Sequence, residues 1–146
     1  MSMVTLSGTL RRVVSGNLEI VRAIVANWER GDYSSSDWAD PEIEFVYADG
    51  PVPGSFRGVE GMAESWREFL RNWDDARAEV EELRELDGQR VLMLFRQQGR
   101  GRTSGLEVAH TGSRAANLFH LRDGRVTRVV LYLDRDRALA DLGLEG

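Results

Sequence analysis

The sequence predicts an α+β domain, with an antiparallel sheet and helices packed against one side of it. Two observations carry this. The first half of the chain holds two stretches whose apolar residues recur at three and four positions. The second half is mostly short apolar or alternating runs separated by turn residues. Helices followed by a series of strands give this class, whereas strict strand–helix alternation would give a parallel sheet. No repeat, low-complexity tract or linker interrupts the 146 residues, so 1–146 reads as one domain.

Residues 1–15 read as a short lead, possible as a frayed helical arm. From Asn17 the pattern is helical: Leu18, Val21, Ile24, Val25 and Trp28 form one face, with Glu19, Arg22 and Glu29 between them. Asn17 suits an N-cap, and Gly31 suits the stop after Arg30. Ser34 to Asp37 is read as a further helical turn carrying Trp38, broken by Asp40-Pro41. Ile43, Phe45 and Tyr47 then alternate with Glu44 and Val46 as a strand. Asp49 to Gly58, rich in proline and glycine, reads as a loop.

A second amphipathic helix is predicted from about Val59 to Trp73. Met62, Ala63, Trp66, Phe69, Leu70 and Trp73 make its apolar face. Strands follow at 77–86, which is charged on one side, and at 91–98. Gly99 to Arg102 reads as a hairpin turn, and 106–121 as a long strand bulged near Gly112. Asp123-Gly124 is a strong hairpin signal before a last strand at 126–133. Asp134 can cap a short helix over 135–142.

Composition removes several chemistries. With no cysteine there are no disulfides, thiolate nucleophiles or cysteine–zinc sites. All 19 basic residues are arginine, so no lysine can form a Schiff base. Two histidines cannot build a multi-histidine metal centre, and no carboxylate motif points to another metal. A net charge of −5 argues against a nucleic-acid partner. No apolar run is long enough to span a membrane, and the first residues do not read as a signal peptide, so a cytoplasmic location is expected. The glycines at 99, 101 and 105 have the wrong spacing for a dinucleotide loop. The arginine–glycine stretch 96–102 lacks the aromatics of an RNA-binding tract.

Several local features occur in a familiar order. They are Gly31-Asp32 after the first helix, Trp38-Ala39-Asp40-Pro41 before the first strand, Phe56-Arg57-Gly58 before the second helix, and Arg122-Asp123-Gly124-Arg125-Val126 between the last strands. With the element order, they resemble the nuclear transport factor 2-like superfamily, and in particular its SnoaL-like, polyketide cyclase-related branch. The resemblance covers roughly residues 17–142. It implies a cone-shaped, curved antiparallel or mixed sheet wrapped around the N-terminal helices and enclosing a pocket. It also implies a homodimer through the outer sheet face, and no cofactor. The activities it implies run from isomerase, cyclase or dehydratase to plain binding, so the fold alone assigns none.

Set beside the ketosteroid isomerases of similar fold, Tyr47 falls near their catalytic base. Ile24 falls where a helix tyrosine donates a hydrogen bond, and Asn117 where a buried acid does. Ile24 cannot donate, and an asparagine amide cannot shuttle a proton. A steroid-type isomerisation therefore lacks two of its parts.

The candidate catalytic residues are Asp49, His110, Asn117 and Tyr47. Asp49 is the best general base, or else a turn residue of the Asp-Gly-Pro loop. His110 can act as acid or base if a bulge at Gly112 turns it to the face of Asn117; otherwise it is a surface histidine. Asn117 sits in an apolar strand context and needs a partner if buried. Trp28, Phe45, Trp66, Leu70, Trp73, Arg96, Phe119 and Tyr132 are the candidate ligand contacts. Arg96 would pair with a ligand carboxylate or enolate, or else point outward or to an interface and salt-bridge a carboxylate. Tyr132 would offer a phenol or pack in the core. The expected partner is a small hydrophobic organic molecule, held by aromatic walls. A non-catalytic ligand-binding or dimerisation module is the alternative.

Overall fold

In the computed structural model, the backbone is described for residues 2–49, 53–71, 73–101 and 113–144. Side chains are described for 16–49, 53–67, 71, 77–97 and 114–144. The elements run α1 (Ser2–Glu29), β1 (Ala39–Tyr47), β2 (Gly54–Arg57), α2 (Gly58–Arg71), β3 (Trp73–Asp87), β4 (Arg90–Gly101), β5 (Ser113–Arg122), β6 (Arg125–Tyr132) and α3 (Arg135–Leu142). One six-stranded sheet has the order β2-β1-β6-β5-β4-β3. Strands β3 to β6 are successive antiparallel neighbours, and β1 joins β6 in parallel, so the sheet is mixed.

Five features differ from the sequence reading. Helix α1 begins well before Asn17, whose amide donates from within the helix to the Gly88 carbonyl at 2.8 Å instead of capping an end. Residues 34–37 form no helical turn; Trp38 donates its indole N–H to Ser35 O at 2.9 Å. Asp40-Pro41 lies inside β1, at the register shift between Ala39 and Glu44, where a residue without an N–H costs no ladder bond. The loop 49–58 contains the edge strand β2, and Trp73 opens β3 instead of closing α2. The helix stop at Gly31 agrees: its φ is 78°, and Gly31 N–H and Asp32 N–H return to Trp28 O and Asn27 O at 2.9 Å. Of the predicted strand 106–121, residues 113–121 lie in β5, and 106–112 with the bulge near Gly112 lie outside the described residues.

Helices α1 and α2 cover the inner face of the sheet. Val21, Ile24, Val25 and Trp28 of α1 and Met62 of α2 pack on Val91, Met93, Phe95, Phe119 and Val129. Helix α3 covers the other face, where Ala138 and Leu139 meet Leu92, Leu94, Leu118 and Val130. Asp134 caps α3 through the Asp136 N–H at 3.0 Å, and Gly143 ends it at φ 68°. The outer face was expected to serve dimerisation, but its apolar part is thus already buried by the chain itself. Beside that part runs a charged row, Arg90, His120, Arg128 and Glu44, one residue from each of four neighbouring strands. Among the described residues no helix is long and apolar enough to cross a membrane.

Candidate functional site

Between α1, α2 and the inner face lies a cavity of about 60 Å³, open on one side. Each element contributes through its inward side chains. Trp28 comes from the end of α1, and Tyr33 from the loop after it. Phe45 and Tyr47 are the inward residues of β1, and Trp66 lies on the apolar face of α2. Met93, Phe95 and Gln97 alternate inward on β4, and Asn117 of β5 pairs with Met93 in register. Ala78, Leu131 and Leu133 complete the lining, and no described lining residue carries a charge.

The rings meet largely at right angles. Trp66 stands edge-on to Trp28 (84°, centroids 5.2 Å), to Tyr33 (77°, 6.0 Å) and to Phe45 (85°, 5.5 Å). Phe45 stands at 82° to Tyr47. Burial pushes the Tyr33 phenol up to about 12, with the nearby Arg77 opposing. Burial also raises Tyr47, opposed by its contact with Ser65. Both phenols are therefore neutral at physiological pH: they can donate a hydrogen bond but do not serve as bases. Tyr47 Oη lies 3.5 Å from Ser65 Oγ, which is buried on α2 and also bonds Met62 O at 3.2 Å.

Asn117 is the polar centre of this wall. It is 6% exposed. Its Nδ2 donates to Met93 Sδ at 3.8 Å, a weak contact, while Oδ1 is buried with no hydrogen-bond partner among the described residues. Leaving such an acceptor unmet costs about 1–3 kcal/mol. A buried polar atom in that state calls for a partner the protein does not provide.

The cavity therefore brings together Asn117, Tyr47, Trp28, Phe45 and Trp66. Phe119 lies one layer deeper, stacked on Trp28 at 5.8 Å and 28°. Three other candidates fall elsewhere. Both oxygens of Asp49 are taken by main-chain donors, Oδ1 by Leu133 N–H at 2.7 Å and Oδ2 by Asp134 N–H at 3.3 Å. This ties the end of β1 to the turn before α3. Arg96 points to the outer face and pairs with Glu81 at 2.8 Å. Tyr132 also faces outward, against α3, and burial followed by Asp141 raises its phenol. His110 and the side chains of Leu70 and Trp73 lie outside the described residues.

The sequence reading passed over Ser65, Met93 and Gln97. Ser65 had a signal: it is a small polar residue three positions after Met62, inside the apolar stripe of α2. Gln97 shares the parity of Met93 and Phe95.

The role of Asp49 can be read from stability. Asp49→Ala should lower the unfolding free energy by about 1–2 kcal/mol, because two main-chain donors lose their acceptor. Asp49→Asn keeps one acceptor oxygen and should cost less. Urea titrations of both variants check this; equal losses would show that the charge, and not the hydrogen bonds, matters there.

Comparison with known proteins agrees with the geometry. A family model described as the SnoaL-like domain matches residues 21–129. No curated protein matches the sequence. Among solved structures, Bal32a from a soil-derived mobile gene cassette superposes with a TM-score of 0.69 at 18% identity, over 82% of this chain and 89% of that one. A protein of Jannaschia sp. CCS1 described as a SnoaL-like polyketide cyclase gives 0.67 at 17% identity, over 92% and 96%. A protein of Catenulispora acidiphila DSM 44928 with a ketosteroid isomerase-like fold, solved with trimethylamine, gives 0.64 at 16% identity, over 87% and 94%. At these identities the structures speak for the fold alone. The family match runs from within α1 to within β6 and takes in most of the cavity wall, and on it this chain belongs to the SnoaL-like domain family of the nuclear transport factor 2-like superfamily.

Proposed function

We propose that the protein binds a small, largely apolar organic molecule in the cavity, with Asn117 fixing its orientation. The observation that carries this is the buried, unpartnered Oδ1 of Asn117 in an otherwise aromatic wall. A folded protein gains nothing from that atom unless something binds it. The trimethylamine complex of the Catenulispora protein supports the idea that a fold of this shape takes small molecules.

The test joins stability to binding. Asn117→Leu keeps the branched shape and removes the unmet acceptor, so it should raise the unfolding free energy by about 1 kcal/mol. The same variant should lose affinity for small organic probes with a hydrogen-bond donor, such as isopropanol and tert-butanol. Fluorescence suits the measurement, because Trp28 and Trp66 stand in the wall. If no probe gives a saturable change in the unmodified protein, or if Asn117→Leu destabilises it, the reading fails.

A second reading is cofactor-independent acid–base chemistry, an isomerisation, cyclisation or dehydration. It draws support from the polyketide-cyclase description of the Jannaschia protein. Here Tyr47, beside Ser65, and the Asn117 amide would polarise a substrate carbonyl. Asp49 or His110 would supply the base. Asp49 would first have to leave Leu133 and Asp134, so this reading asks for more than binding does. The homodimer belongs to the same proposal, with the charged row of the outer face as the surface left for it. Light scattering at micromolar concentration should then give twice the chain mass, and a monomer would count against it.

A further inference from the structure

If the cavity binds a small molecule, its polar chemistry narrows the class. The amide of Asn117 is half used: Nδ2 already donates toward Met93, and Oδ1 is the atom left open. Satisfying Oδ1 therefore takes a ligand that brings a hydrogen-bond donor, while the second N–H of Nδ2 can still meet an acceptor. Trp28, Tyr33, Phe45, Tyr47 and Trp66 share the cavity lining with Asn117, several of them mutually perpendicular. Walls set at right angles turn both faces and edges toward a guest. The faces carry negative quadrupole density that attracts a cation. No arginine is among the described lining residues, although Arg77 lies near Tyr33, and the chain as a whole is acidic, with a net charge of −5. Both phenols in the wall stay neutral.

We propose that the ligand is a small protonated alkylamine, whose N–H donates to Asn117 Oδ1 while its alkyl groups pack against the aromatic walls. The reading rests on the ligand-binding role proposed above. Size agrees with it. At about 60 Å³ the cavity is well below the roughly 150 Å³ that holds a benzene ring. A compact head group with a few carbons therefore fits better than a fused ring system. No described lining carboxylate neutralises the charge. Affinity is accordingly modest, since desolvating an ammonium ion offsets much of the gain. The open side of the cavity limits that cost by leaving the cation partly hydrated.

Three probes of nearly equal size and shape separate the contributions. tert-Butylammonium carries both charge and N–H donors. Tetramethylammonium carries charge without a donor, and tert-butanol carries a donor without charge. Binding is read on the full chain at neutral pH by calorimetry and by shifts of the tryptophan indole N–H resonances. tert-Butylammonium should bind about tenfold tighter than tert-butanol, with tetramethylammonium between them. Asn117→Leu should bring tert-butylammonium down to the level of tetramethylammonium and leave the latter unchanged. Asn117→Asp, which adds a carboxylate at the same atom, should tighten both cations by about tenfold, a gain that misfolding cannot produce. If tert-butanol or phenol binds as well as or better than tert-butylammonium, the amine assignment is overturned and the binding pocket stands. If none of these probes binds, both readings fall together.

Discussion

Trp28→Ala is expected to remove about 3–5 kcal/mol of stability, the largest loss of any single truncation proposed here. Trp28 is 4% exposed and sits where three elements converge. It stacks on Phe119 of β5 at 5.8 Å, meets Trp66 of α2 edge-on at 5.2 Å, and lies 6.0 Å from Trp38 at the start of β1. Deleting the indole takes the transfer energy of a large ring and leaves a hole that these neighbours cannot close without leaving their own rotamers. Against a total of about 5–15 kcal/mol for a domain of this size, the variant would be marginal at best. Urea unfolding followed by far-ultraviolet circular dichroism measures it without relying on the lost fluorophore. Trp28→Phe should recover part of the loss. A deficit under about 1 kcal/mol for the alanine variant would mean that the aromatic cluster does not hold the helices to the sheet.

The second large effect belongs to Arg135. Its side chain is 8% exposed and lies across the outer face of the sheet. Nη2 donates to Phe95 O at 2.8 Å, Nε donates to Ala115 O at 3.3 Å, and Nη2 also pairs with Glu81 at 2.6 Å. Arg135→Met keeps the aliphatic stem but leaves two buried carbonyls without their donor. A loss of about 2–3 kcal/mol is expected in chemical denaturation. The partner Glu81 is half in water and can resolvate, which keeps the loss below that of a broken buried pair. A neutral Arg135→Met would show that water takes over both carbonyls.

The same network sets a pH dependence. Hydrogen bonds from Arg96 and then Arg135 hold the Glu81 carboxyl below its ordinary value of 4.5. A folded-state value below the unfolded one means that the stabilisation is fully present above 4.5 and drains away as pH falls through the depressed value. The stability difference between the unmodified protein and Glu81→Gln should therefore narrow in acid and be constant from neutral pH upward.

Local signals were legible in the sequence, and registers were not. Asp134 announced α3 because a cap needs only its own few residues. Asp123-Gly124 announced its hairpin because both positions take positive φ, 52° and 79°, which that pair tolerates. Strand β2 was hidden because all four of its residues are exposed and nothing alternates. Its existence depends on the neighbouring β1, not on its own text.

The candidate site divides along the same line. Trp28, Phe45 and Trp66 follow from helical and strand periodicity, and Asn117 from being polar in an apolar run. Tyr132 did not follow, and the reason is one residue. The register shift beside His120 and Leu121 pairs Arg128 with His120 but Val126 with Leu121, leaving Thr127 as the extra residue. Val126 and Val129 both point inward as a result, the alternation flips, and Leu131 reaches the cavity in place of Tyr132. No feature of the sequence 125–132 marks Thr127 as the bulge.

The parallel pairing of β1 with β6 has a consequence for biosynthesis. Residues of β1 such as Phe45 and Tyr47 find their partners at Val129 and Leu131, late in the chain. The lining itself runs from Trp28 to Leu133. A ribosome making this protein must therefore deliver almost the whole polypeptide before the cavity can close. Until β5 and β6 emerge, the aromatic cluster around Trp28 and Trp66 lacks Phe119, Asn117 and Leu131 to close it. That interval, at translation rates of about 5–20 residues per second, is when the nascent chain shows its apolar surface to whatever else is in the compartment.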